Sequence, residues 1–208
     1  AAQSWQQLGP TVGTVPSQVT YTGRPTTNSG RVTAIVAAND CTVAFCRVWV
    51  GAAGGGIWAT TNGLATPPIW HASSTGLGSN AIGSILIDPT DRSGKTLYVG
   101  TGEPNGSGDS EAGVGMYKST DFGATWSLVA GSVAATNNRS IASIAIDPKN
   151  AKHIYIGTAL ARHGSSSVNG GRFTPPGAPV IGLYESLNAG KTFKLVFSQP
   201  SDPLDPTT

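Results

Sequence analysis

The strongest constraint on what this chain can fold into is that it repeats itself. Ser119-Thr120-Asp121-Phe122-Gly123-Ala124-Thr125-Trp126 returns as Ser186-Leu187-Asn188-Ala189-Gly190-Lys191-Thr192-Phe193, with Asn for Asp and Phe for Trp. A glycine at the same place in both copies permits positive φ without steric cost, and Asp121 or Asn188 can accept hydrogen bonds from backbone N–H groups two residues on. The hydroxyls of Ser119 and Thr125, like those of Ser186 and Thr192, are placed to satisfy the remaining turn groups. Trp126 or Phe193 then opens the next strand with a buried ring.

The repetition continues upstream. Ile85-Leu86-Ile87-Asp88-Pro89, Leu97-Tyr98-Val99-Gly100-Thr101 and Gly115-Met116-Tyr117 precede the first copy. Ile144-Ala145-Ile146-Asp147-Pro148, Ile154-Tyr155-Ile156-Gly157-Thr158 and Gly182-Leu183-Tyr184 precede the second. Each unit is four short β-rich runs separated by turn residues, the last run being 125–129 or 192–196. Four strands on a period of roughly 50 to 65 residues is the sequence form of a propeller blade.

An earlier unit follows the same plan, with strands expected at 31–37, 47–51, 56–60 and 69–72. Its turn keeps Thr60 and Asn62, has Leu64 in the glycine place and inserts Pro67-Pro68 before Trp70. The expected organisation is therefore a closing strand and crossing segment at 1–30, blades at 31–79, 80–138 and 139–197, and a linker or entry to a further blade at 198–208. Ser4-Trp5-Gln6-Gln7-Leu8 matches the outermost strand of a unit, so Trp5 is expected to open a strand that completes a blade lying beyond residue 208. Propellers typically have about four to eight blades. The missing ones are expected from the same longer polypeptide, with another chain as the alternative source, since open sheet edges would otherwise invite aggregation.

The turn pattern resembles the Asp-box, or bacterial neuraminidase repeat, of β-propellers. That resemblance implies an all-β fold of four-stranded antiparallel blades in a secreted family mostly of unassigned function. It also implies that Ser119, Asp121, Gly123, Thr125, Trp126, Ser186, Asn188, Gly190, Thr192 and Phe193 brace turns and perform no chemistry. Gly100-Thr101-Gly102-Glu103-Pro104-Asn105 with Ser107-Gly108-Asp109-Ser110 is similar to a run found in secreted proteins of the same repeat group.

Composition narrows the setting. With 12% charged residues and a net charge of +2, the chain has no electrostatic footprint for nucleic acid, and no apolar run reaches the length of about 18 residues that a membrane span needs. Cys41 and Cys46 sit where the other units carry their Asp-Pro turns. Facing each other across a hairpin they form a disulfide, which points to an oxidising compartment; two neighbouring free thiols are the alternative. Ala1-Ala2-Gln3 is what cleavage at a small-residue site leaves, so a secreted or cell-surface protein is expected.

Blade geometry sorts the loops. With strands A to D running outward from the axis, the Asp-Pro turns and the boxes fall on one face. The B–C and D–A connections fall on the other, which receives the long segments 102–113 and 159–180, and long loops on a rigid scaffold are where binding resides. In the first, Glu103, Asn105, Asp109 and Glu111 could hydrogen-bond sugar hydroxyls, or wrap Ca²⁺ through oxygens, with Asp109 and Glu111 the metal candidates. A solvated acidic turn that braces its own backbone is the plainer alternative. The second contributes Arg162, His163, Asn169, Arg172 and Phe173. His71 and His153 are expected to be structural.

Catalytic patterns fit less well. The resemblance to sialidases implies an arginine triad, a tyrosine–glutamate pair and a Phe-Arg-Ile-Pro-like run, but Arg172-Phe173-Thr174-Pro175 has the order reversed. Xyloglucanase-type propellers, which the repeats also resemble, place a catalytic aspartate in an early inner loop, where this chain has Ala52-Ala53-Gly54-Gly55-Gly56. Gly108-Asp109-Ser110 lacks both the following glycines and the partners of a serine nucleophile. The expectation is a binding or interaction module for a glycan or a protein. A glycoside hydrolase with part of its machinery outside this chain, and a structural component of an extracellular assembly, are the alternatives.

Overall fold

The computed structural model describes residues 31–105, 110–161 and 177–198, together with the backbone of two short strands, β1 (Thr14–Val15) and β2 (Thr26–Thr27). β1 and β2 pair antiparallel. Trp5 and its closing strand lie outside the described residues, as does most of 198–208.

Three four-stranded antiparallel sheets follow one another along the chain. The first contains β3 (Val32–Ala37), β4 (Val48–Ala52), β5 (Gly56–Thr60) and β6 (His71–Ala72). The second contains β7 (Ile82–Ile87), β8 (Leu97–Thr101), β9 (Met116–Ser119) and β10 (Ser127–Leu128). The third contains β11 (Ser140–Asp147), β12 (Asn150–Ala159), β13 (Leu183–Ser186) and β14 (Lys194–Phe197). Within each sheet, spatial order equals chain order. The fold is a β-propeller, and each sheet is one blade.

The blades stack face to face. β7 packs on β3 and β4, and β11 packs on β7 and β8. Two cores result, both between sheets. One joins Trp49 and Ile57 of the first blade to Ile82, Leu97 and Trp126 of the second. The other joins Tyr98 and Met116 of the second to Ile141, Ile154, Ile156 and Tyr184 of the third.

One joint is used twice in this stacking. The first strand of every blade carries a register shift right after its peg residue, Val32, Ile82 or Ile141. A Cβ on Gly51 would lie 2.5 Å from Ile82 Cγ2, and a Cβ on Gly100 would lie 2.5 Å from Ile141 Cβ. These two glycines are therefore sockets, kept bare so that the next blade's branched side chain can enter. Ile82 and Ile141 are fully buried there (0% exposed), whereas Val32, the same peg on the outer side of the first blade, is 57% exposed.

The box turns form as their residues require. Asp121 accepts from Thr125 N (2.9 Å), Thr125 Oγ1 (2.6 Å) and Ser119 Oγ (2.7 Å), while Ser119 Oγ accepts from Gly123 N (2.8 Å). Asn188 reproduces this with Thr192 N (3.0 Å) and Ser186 Oγ (3.0 Å), and its amide donates to Thr192 Oγ1 (2.8 Å). Gly123 and Gly190 have φ of 82°, and the residue before each is also left-handed, Phe122 at 61° and Ala189 at 60°. In the first blade the proline insertion is absorbed without loss of the motif. Asn62 Oδ1 accepts from Thr60 Oγ1 (2.6 Å) and, across the inserted residues, from Ile69 N (2.9 Å). The outer strand accordingly starts at His71 rather than at Ile69.

A short helical segment, a 3-10 turn at Ala130–Ser132 running into α1 (Val133–Thr136), links the second blade to the third. It presses on the last box: a Cβ on Gly131 would come within 2.2 Å of Lys191 O.

Candidate functional site

The B–C connection of the second blade is pinned at its stem. Thr101 Oγ1 donates to Gly115 O (2.6 Å) and accepts from Val114 N (2.9 Å) and Gly115 N (3.1 Å). Gly102 N donates to Ala81 O (2.8 Å), Glu103 N to Glu111 O (2.9 Å) and Gly113 N to Arg139 O (2.8 Å). Gly102 has φ of 89°, and a Cβ there would lie 2.6 Å from Gly113 N, so both strands of the stem need glycine to approach this closely.

Glu103 is drawn inward. It is 2% exposed, and its carboxylate is ion-paired with the Arg31 guanidinium at the start of the first blade. Such a pair of opposite charges compensates the cost of burying a carboxylate. Arg31 also accepts Ala53 N through its carbonyl (2.9 Å), so it ties the B–C turn of the first blade to the B–C loop of the second. That turn, Ala53–Gly55, carries no ionisable side chain. Asn105 and Glu111 are exposed. Of the other residues expected here, Asp109, Arg162, His163, Asn169, Arg172 and Phe173 lie outside the described residues. Among the described residues no three His, Cys, Asp or Glu side chains gather as a metal set.

The opposite face has a groove that the sequence did not announce. It measures about 540 Å3 and lies between the A–B connections of the first and second blades, against the second blade's box. Trp49 forms part of its lining and donates through Nε1 to Phe122 O (2.8 Å), while Phe122 N donates to Lys95 O (3.0 Å). The Arg47 guanidinium is sandwiched between Phe122 (4.0 Å) and Phe45 (4.4 Å). Phe45 belongs to the hairpin that Cys41 and Cys46 close as a disulfide. Asp91 is bound by Ser93 Oγ (2.6 Å), Ser93 N (2.9 Å) and Thr96 N (2.9 Å), and these bonds, led by the Ser93 hydroxyl, hold its carboxyl well below the usual carboxylate range. Asp88 caps its own turn through Thr90 N (2.9 Å) and Thr90 Oγ1 (2.7 Å).

A third polar cluster lies on the outer sheet face of the third blade. Glu185 Oε1 accepts from Tyr155 OH (2.6 Å) and meets His153 Nε2 at 2.9 Å, with Asp147 Oδ2 3.9 Å from His153 Nδ1. The Tyr155 hydroxyl, followed by the imidazole, lowers the Glu185 carboxyl, and Glu185 in turn raises Tyr155. Cross-strand register, which pairs Tyr155 with Glu185, is the signal that could have found this cluster in the sequence.

No family model matches the chain, and no curated protein matches it. Solved structures do. An ancestral GH74 enzyme is 25% identical with a TM-score of 0.54, over 94% of this chain and 20% of that enzyme. The GH74 xyloglucanase from Xanthomonas campestris is 18% identical with a TM-score of 0.39, over 82% of this chain and 31% of that one. The chain thus spans 20% of the length of the first enzyme, and what it shares with that enzyme is the β-propeller.

Proposed function

We propose that the chain is a glycan-binding part of an extracellular propeller protein, and that the B–C loops make the contact. The observation that carries this reading is the loop stem. Thr101, Gly102, Gly113 and the Arg31–Glu103 pair hold it rigid, leaving Asn105 and Glu111 exposed at its end. An amide and a carboxylate on a fixed frame suit vicinal sugar hydroxyls, because little ordering entropy remains to be lost on binding. Similarity to a GH74 enzyme supports a glycan over a protein partner, and the disulfide supports an oxidising, extracellular setting.

The same similarity favours a second reading, a glycoside hydrolase. Such chemistry needs two carboxyl groups flanking the scissile bond. Among the described residues on this face, Glu103 is committed to Arg31 and Glu111 is the exposed carboxylate. The binding reading is therefore preferred, and cleavage would need a second carboxylate from outside the described residues.

A glycan array probed with and without Ca²⁺ tests both. Binding to at least one polysaccharide, weakened about tenfold by Asn105→Ala with Glu111→Ala, is expected. No binding under either condition would overturn the glycan reading in favour of a protein partner. Release of reducing sugar from xyloglucan by this chain would overturn the non-catalytic reading.

A further inference from the structure

The geometry points to a second, separate sugar site in the groove between the first two blades, on the face opposite the B–C loops, fitted to a short neutral oligosaccharide. It shares with the function proposed above only the class of ligand.

Three properties of the groove lead there. The first is size: about 540 Å3 lies within the range of roughly 300 to 1,000 Å3 typical of ligand pockets, enough for about two or three sugar rings. The second is rigidity. The Trp49–Phe122 hydrogen bond, the Phe45–Arg47–Phe122 sandwich, the disulfide behind it and the self-capped turns of Asp88 and Asp91 fix the walls before any ligand arrives. Preorganised walls spare the ordering cost that otherwise cancels much of a weak polar contact.

The third is the set of groups left over. Asn39, Asp40 and Arg92 line the groove and make no hydrogen bond or ion pair among the described residues. They offer an amide, an acceptor-only carboxylate and a five-donor guanidinium around a lining that includes Val36, Ile87 and Phe122. Donors and acceptors interleaved about an apolar bed match a pyranose, with its hydroxyl rim and C–H faces. Of the three acids that line the groove, Asp88 and Asp91 are satisfied by their own turns, and Arg47 and Arg92 offset two of the three charges, leaving Asp40 as the acceptor. A neutral ligand fits that near balance.

Isothermal titration of the intact chain with neutral oligosaccharides of about two to four units, from the cello-, xylo- and galacto- series, tests this. At least one is expected to bind, with affinity falling about tenfold or more in Asp40→Ala and in Arg92→Ala and unchanged in Asn105→Ala with Glu111→Ala. Because Asp40 and Arg92 are exposed and make no internal bonds, their variants should melt with the parent, so a loss of affinity reports the site. If binding is lost in the Asn105/Glu111 variant and kept in the Asp40 and Arg92 variants, the groove site is overturned and the loop reading stands. If no neutral oligosaccharide binds, the groove site is overturned alone, because the loop reading is judged on the wider array.

Discussion

At the scale of residues, Asp121 and Asn188 do one job with different chemistry. Both accept from the N–H of the threonine four residues on, but Asp121 does so as a carboxylate. Thr125, through its hydroxyl and then its N–H, and after it Ser119, lower the Asp121 carboxyl below its ordinary value, as Ser93 and Thr96 do for Asp91. A carboxyl lowered on folding contributes stability that is complete above its unfolded value, about 4, and is lost as pH falls toward the folded one. The melting temperature should therefore be flat from about pH 7 to about pH 5 and drop below about pH 4. Asp121→Asn, which copies the turn of the third blade, should make that drop shallower while costing less than about 1 kcal/mol at neutral pH, whereas Asp121→Ala should cost about 1–2 kcal/mol. Circular-dichroism melts across pH check this, and an unchanged acid slope in Asp121→Asn would contradict it.

At the scale of elements, equivalent positions differ by where their blade stands. Val32, Ile82 and Ile141 share a place in the register, yet the first is exposed and the other two are fully buried. Ile82→Ala or Ile141→Ala should cost about 2–4 kcal/mol in denaturant unfolding, while Val32→Ala should stay within about 0.5 kcal/mol. Equal costs at the three sites would contradict the stacking. The strands themselves were legible because three copies of Asx-punctuated, β-branched runs align, and the alignment carried even the eroded first box. Other features were not. Glu103 meets Arg31 from 72 residues away, and nothing local to either residue announces the pair. Phe122 and Ala189 adopt left-handed φ beside a glycine that already marks the turn, so their side chains gave no cue. The segment Val133–Thr136 is one helical turn, too short to show a period. The groove belongs to two blades at once, and a reading that treats blades one by one does not see it.

At the scale of the molecule, the stacking of the blades decides which loops share a face and which walls meet. Arg31 binding both B–C connections, and Trp49 of one blade binding Phe122 of the next, follow from it. Among the described residues, the outer blades show the same joint unfilled. Val32 (57% exposed), Ile35 (63%) and Trp58 (41%) line the free side of the first blade, and a Cβ on Gly157 of the third would meet only Ser143 of its own sheet. A double-mutant cycle on one filled joint tests the stacking most directly. Gly51→Ala should cost about 1–3 kcal/mol by overfilling the socket. Combined with Ile82→Ala it should cost at least about 1 kcal/mol less than the two single changes together, since the shortened peg leaves room for the new methyl, while with Ile141→Ala the costs should add to within about 0.5 kcal/mol. Strict additivity of Gly51→Ala with Ile82→Ala would mean that the two residues do not meet, and that the blades are not stacked as described.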